Sequence, residues 1–183
     1  MRSVEKLDIN NKEHAGFLFD LAMACKDELI DDYENDIILM VDKMQRGIAS
    51  GSIKAFLCSV KGEKCGAMWV EICPREIGEI HAAMLPKFRD FSGHAIAFLK
   101  LFIPFCFNTL KLRKLRAMVP TYLSRPERLL RAYGFRKVGL HKAETLRNGK
   151  PESVVELCLL KNQPRIPSRL KNQFKPQKDK KNG

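Results

Sequence analysis

The segment that most constrains the fold is the last patterned one. Residues 135–146 and 152–160 both read as strands, and Arg147-Asn148-Gly149-Lys150 joins them. Asn-Gly supplies the two positive φ angles of a type I′ turn, whose twist matches that of the strands it connects. An antiparallel pair is marginal alone in water and needs more strands or a helix against one face. The rest of the chain must supply them.

The preceding residues do so. Val4–Asp8 reads as a short strand. Asn11 is placed to cap a helix carrying Phe17, Leu18, Leu21, Ala22 and Cys25 at helical spacing. An acidic stretch from Asp27 to Asp36 interrupts it. Ile37, Met40, Val41, Met44 and Ile48 then mark a second amphipathic helix ending near Gly47 or Gly51. Ile53–Val60 and Cys65–Cys73 read as antiparallel strands joined by Lys61-Gly62-Glu63-Lys64, and a turn bounded by Pro74 and Gly78 leads into a strand over Glu79–Leu85.

A helix from about Ser92 to Asn108 is apolar on nearly every face, which predicts a covered, central element. Pro104 is expected to kink or loosen its last turns. After a short strand, Leu115–Val119, Ser124-Arg125-Pro126-Glu127 has the form of a capping box and predicts a helix with Ser124 at the cap. That helix runs to about Tyr133, and Gly134 ends it. No internal repeat is present. The order β-α-α-β-β-β-α-β-α-β-β predicts an α/β fold: a mixed, mostly antiparallel central sheet of about seven strands with helices on both faces.

At 183 residues the chain has the length of one domain. Its charge divides it further. Residues 1–85 carry a net −5, residues 86–160 a net +10, and residues 161–183 a net +7. The expected organisation is a domain over 1–160 and a basic, disordered tail over 161–183, where three prolines and few large apolar residues cannot offset the entropy of ordering. So positive a back half calls for an anionic partner: a phosphorylated cofactor, an acidic protein surface or, through the tail, nucleic acid. The nucleic-acid reading rests on charge alone.

Cys25, Cys58, Cys65, Cys73, Cys106 and Cys158 stand singly in apolar runs, with no C-x-x-C pair, and no metal site is expected. The longest apolar stretch, Ala95 to Phe107, is too short to span a bilayer and contains Lys100. The N-terminal residues lack the apolar core of a secretory signal. These features point to a cytoplasmic protein with reduced thiols and no membrane partner.

The element order over residues 4–160, with Arg131-Ala132-Tyr133-Gly134-Phe135-Arg136-Lys137-Val138-Gly139 and the Arg-Asn-Gly-Lys hairpin, resembles the GNAT family of acyl-coenzyme A-dependent N-acetyltransferases. The closing segment looks most like the ribosomal-protein N-acetyltransferase branch. Proteins of this fold also occur in tailed phages, some implicated in virion assembly. The resemblance implies acetyl-CoA as donor and an amine-bearing acceptor. It also implies a crevice where two neighbouring strands diverge to admit the pantetheine arm.

In that family, the loop after the fourth strand carries Gln/Arg-x-x-Gly-x-Gly/Ala, whose amides hold the pyrophosphate at a helix N-terminus. The matching residues here are Asp90-Phe91-Ser92-Gly93-His94-Ala95: Gly93 and Ala95 fit, and Asp90 departs from the pattern. Ser92, Gly93, His94 and Ala95, with Lys87 and Arg89 nearby, are therefore the expected phosphate site. The resemblance puts the oxyanion donor at the backbone amide of about Met84 or Leu85. Glu79 and His81, two apart on one strand, share a face and are candidates for the base. The family's usual tyrosine acid falls at Leu130, which has no proton to give, leaving Tyr122 and Ser124 as substitutes.

Two functions follow. One is transfer of an acetyl group from acetyl-CoA to a primary amine of a protein or small molecule. The other is a catalytically degenerate GNAT-like binding or phage virion-assembly protein, acting through its basic face (Arg125, Arg128 and Arg131 form a helical stripe) and tail. Cys106, Cys158 and Trp69 are expected in packing roles.

Overall fold

The structure is a computed structural model that describes residues 2–29, 36–89, 92–147 and 149–162. The expectations placed on Asp90, Phe91, Asn148 and the tail beyond Asn162 lie outside these residues. The elements are β1 (Arg2–Lys6), α1 (Lys12–Ala24), a single turn α2 (Lys26–Leu29), α3 (Ile37–Ser50), β2 (Ile53–Val60), β3 (Glu63–Cys73) and β4 (Ile77–Met84). A 3₁₀ turn over Pro86–Phe88 leads into α4 (Ser92–Asn108), followed by β5 (Lys114–Pro120), α5 (Ser124–Tyr133), β6 (Arg136–Arg147) and β7 (Lys150–Leu160).

Local chemistry sets most of these boundaries. The Asn11 side chain accepts from the amides of Glu13 and His14, and Asp36 accepts from Leu39, so α1 and α3 each start at a side-chain cap. Of the two glycines near the end of α3, Gly51 is the terminator, at φ 82°. Helix α4 runs unbroken past Pro104 to Asn108. At α5 the expected capping box is absent. The helix begins at Ser124 itself, Leu123 takes the cap position, and no side chain bonds the first turn. The Leu123 amide is turned back onto the Pro120 carbonyl, and Pro126 in the first turn has no amide to be capped.

The seven strands form one sheet in the order β1-β2-β3-β4-β5-β7-β6. Every neighbouring pair is antiparallel except β4 and β5, which run parallel. Arg147 pairs with Lys150 and Gly149 has φ 73°, which gives the β6–β7 hairpin its two-residue loop. The mixed, mostly antiparallel sheet matches the fold class read from the sequence.

Two cores lie on its two faces. One joins α4 and α5 to the sheet through Phe98, Ile103, Phe107, Leu115, Leu130, Tyr133 and Leu157. The other joins α1 and α3 to the β2–β4 half through Leu18, Leu21, Met44, Leu57, Ala67 and Ala83. On that second face the apolar cluster stops at β4. Arg116, Glu156 and His141 continue the same face across β5, β7 and β6. Among the described residues no helix is long and apolar enough to cross a membrane.

Candidate functional site

The parallel pair β4–β5 is held over three positions only, Ile77↔Lys114, Gly78↔Leu115 and Glu79↔Arg116. Beyond Glu79 and Arg116, β4 continues to Met84 and β5 to Pro120 with no pairing between them. The two strands therefore open like a V with the Glu79–Arg116 step at its apex. β5 stays paired to β7 as far as Pro120, and β4 stays paired to β3 as far as Met84, so both walls are fixed by their other neighbours.

The backbone of β4 is set by its pairing with β3. In an antiparallel ladder a residue's N–H and C=O point to the same side, and successive residues alternate. The Leu85 amide donates to the Cys65 carbonyl at 2.9 Å, so the odd-numbered residues of β4 address β3. Ile80, Ala82 and Met84 then turn their amides and carbonyls into the gap. Of the two oxyanion-donor candidates, Leu85 is engaged with β3 and Met84 faces the opening.

Glu79 and His81 project from the same face of β4. Glu79 Oε2 lies 2.6 Å from Nη2 of Arg116 across the apex, and its other oxygen lies 3.7 Å from His81 Nε2, beyond hydrogen-bonding range. Opposite His81 on β3, Trp69 stacks on the imidazole with ring centres 5.2 Å apart and planes 9° from parallel. The His81 side chain is 32% exposed, yet its Nε2 is buried without a hydrogen-bond partner, as is Nε of Arg116. Burial pushes the His81 pKa down; Glu79 and Glu71 pull it upward, and Arg116 and Lys43 add to the fall.

The belt continues over β5 and β7. His141 Nε2 lies 3.1 Å from Glu156, whose other oxygen is 3.9 Å from Lys114 and 3.5 Å from the Cys158 thiol. Burial alone would raise the Glu156 pKa, but the bonds from His141 and Cys158 and the charge of Lys114 hold it below the usual carboxylate value. Burial also raises the thiol of Cys158 and pushes Cys106 up to about 12, so both stay protonated, as packing residues do.

The expected phosphate site is divided. Gly93, His94 and Ala95 lie in the first turn of α4, which begins at Ser92, and the preceding positions 90 and 91 are not described. His94 Nδ1 accepts from Nε of Arg2 at 2.9 Å, tying this turn to β1. Lys87 pairs with Glu63. Arg89 turns back toward the crevice: its Nε donates to the Met84 carbonyl at 2.7 Å, one Nη pairs with Glu28 and the other lies 3.0 Å from Cys25 Sγ. Arg125, at the start of α5, donates to the Arg89 carbonyl and fastens the loop to that helix.

Tyr122 follows β5 with the Arg147 guanidinium 4.1 Å above its ring. Leu130 and Tyr133 are both buried in the α4–α5 core.

Sequence reasoning missed Arg116 as a site residue and placed Trp69 in a packing role; it does pack against the α1–α3 core, and its ring also stacks on His81. Their places depend on cross-strand register, which no local pattern carries. A shallow depression of about 460 Å³ also lies between α1 and the β2–β3 turn, lined by Glu13, Phe17, Asp20, Glu63 and Lys64. It contains none of the crevice residues, and Glu13 is already paired with Lys64.

No protein-family model matches the chain, and no curated protein matches it. Solved structures do. A chimera of the Vibrio cholerae spermidine N-acetyltransferase SpeG and hSSAT superposes with a TM-score of 0.73 at 17% identity, covering 87% of this chain and 95% of the other. Mutant forms of the Vibrio cholerae spermidine/spermine N-acetyltransferase SpeG give 0.72 at 16% identity, covering 95% and 98%. The same enzyme in complex with manganese ions gives 0.70 at 17% identity, covering 87% and 92%. Likeness at this identity shows a shared fold, and that fold is the GNAT fold.

Proposed function

We propose that the chain is an N-acetyltransferase that moves an acetyl group from acetyl-CoA to an amine. The observation that carries this reading is the V between β4 and β5, with Ala82 turning its amide and carbonyl, and Met84 its amide, into it. An extended arm bearing amides finds there the hydrogen-bonding groups that a third strand would otherwise use. The residues present fit such an arm. At the other end, the helix N-terminus at Ser92–Ala95 is the kind of element that holds phosphate, while the nearby cationic side chains Lys87 and Arg89 are spent on Glu63 and Glu28.

Acetyl-CoA would supply an activated acyl carbon and a thiolate leaving group. The chain's own part is to bind, orient and move a proton. The Met84 amide is the donor available to negative charge on the thioester oxygen. An alkylamine arrives protonated and must lose that proton before its nitrogen can attack. His81, kept toward its neutral form by burial, is the acceptor, and with Nε2 buried its Nδ1 is the nitrogen left to take the proton. A thiolate is a weak enough base to leave without a dedicated acid, whose help is worth about 10²–10⁴-fold. The neighbouring spermidine acetyltransferases act on polyamines, which favours a small amine acceptor over a ribosomal protein.

The test is direct. Acetyl-CoA added to the full chain is expected to raise its melting temperature, since a ligand of the native state stabilises it. Thiol release with a panel of primary amines should then persist as pH falls through the ordinary histidine value of 6.5, because the His81 pKa lies below it. A second reading, a scaffold without turnover that binds an acidic partner or serves virion assembly, is favoured by the engagement of Lys87, Arg89 and His94 with protein groups. An unchanged melting temperature at millimolar acetyl-CoA would select it.

A further inference from the structure

Arg116 has no role in the chemistry described so far, yet it sits at the apex of the V. Its Nη2 grips Glu79 Oε2 at 2.6 Å, while Glu79 Oε1 stays 3.7 Å from His81 Nε2. The imidazole nitrogen is thereby left buried with no hydrogen-bond partner beside a carboxylate that could have served it. Trp69 fixes the plane of the ring from the β3 side. The bond to Arg116 opposes a rotation of Glu79 toward His81.

We propose that Arg116 is a positioning residue for proton transfer: by gripping Glu79 it keeps that carboxylate from bonding His81, so that the imidazole meets the acceptor ammonium in its neutral form. This rests on reading His81 as the proton acceptor. The proton passes from the ammonium nitrogen to Nδ1 of His81 and then to water; no other atom is exchanged. The charged groups facing His81 are Glu79 on its own strand, Glu71 on β3, Arg116 on β5 and Lys43 on α3. Arg116 acts on the ring twice in the same direction, as a repelling cation and as the group that restrains an attracting anion.

The consequence is a pair of opposite signs. In Arg116→Met, the cation is gone and Glu79 is released, so the His81 midpoint rises. In Glu79→Gln, the anion is gone and Arg116 remains, so the midpoint falls. Arg116→Lys keeps a cation with a looser grip and gives a smaller rise.

Damage to the fold has another signature. Loosening the site exposes His81, and both Arg116→Met and Glu79→Gln would then move it upward toward the ordinary value of 6.5. The experiment is an NMR titration of the His81 ring protons in the full chain, without acetyl-CoA, for wild type and the three variants. Opposite displacements support the assignment. Displacements of the same sign, or none in Arg116→Met, overturn it. If Arg116→Met does not fold, Arg116→Lys against Glu79→Gln gives the same contrast.

The acid limb of kcat/KM supplies the second readout, and it should move up with Arg116→Met. Opposite NMR shifts in a chain that transfers no acetyl group would retain the coupling and reject the function. Turnover with an acid limb indifferent to Arg116 would retain the function and reject this role.

Discussion

Met84→Pro is expected to lower kcat by about 10²–10³-fold, the usual cost of removing one oxyanion donor. Proline has no amide hydrogen, so the substitution deletes the group assigned to the thioester oxygen and nothing else of that kind. In most strand positions it would also break the ladder. Here it need not, because the Met84 amide faces the gap while its neighbour Leu85 holds the bond to Cys65. The Met84 side chain packs against the α4–α5 core, so Met84→Leu is the matched control that keeps both amide and bulk. Steady-state kinetics of the two variants, beside their melting temperatures, separate a lost donor from a lost fold. Equal activity in Met84→Pro and Met84→Leu would remove Met84 from the mechanism.

Gly66→Ala is expected to destabilise the protein by about 1–3 kcal/mol and to lower acetyl transfer with it. Gly66 lies on β3 directly opposite Met84. A Cβ built there would sit 2.4 Å from the Ala83 carbonyl oxygen and 3.0 Å from the Met84 Cα, both backbone atoms. Neither can swing aside as a side-chain tip would, so β3 and β4 must part at the residue that faces the crevice. The contrast is Gly16 in α1, where an added Cβ meets nothing within 4 Å and alanine should be neutral or stabilising. Denaturant unfolding of the two variants measures the difference. A Gly66→Ala protein as stable and active as wild type would mean that the close β3–β4 approach is not needed.

The sequence exposed the fold more fully than the site, and the reason is range. Helices α3 and α4 and the strands β2 and β7 declare themselves by period and by punctuation such as Gly51 and Asn148-Gly149, all of it local. The capping box at Ser124 was misleading for the same reason. The pattern was present, but the turn that folds Leu123 onto Pro120 moved the start of the helix by one residue.

The site depends on residues far apart in the chain. Arg116 meets Glu79 because β5 runs parallel to β4 in one particular register, and Trp69 meets His81 because β3 runs antiparallel in another. By its place in the sequence Arg89 is expected near the phosphates. The structure spends it on Glu28 and on the Met84 carbonyl, because α1 and α2 pack beside the end of β4. Side-chain chemistry was legible from the letters, but the partners that decide it were not.

The opening between β4 and β5 is expected to receive the donor's arm along the even-numbered residues of β4. Backbone amide resonances followed during an acetyl-CoA titration of the full chain test it residue by residue. Ala82 and Met84 should shift most, while Ala83 and Leu85, whose amides address β3, should respond far less. Even and odd residues responding alike, no response at all, or a response confined to Glu13, Phe17 and Lys64 beside α1 would contradict it.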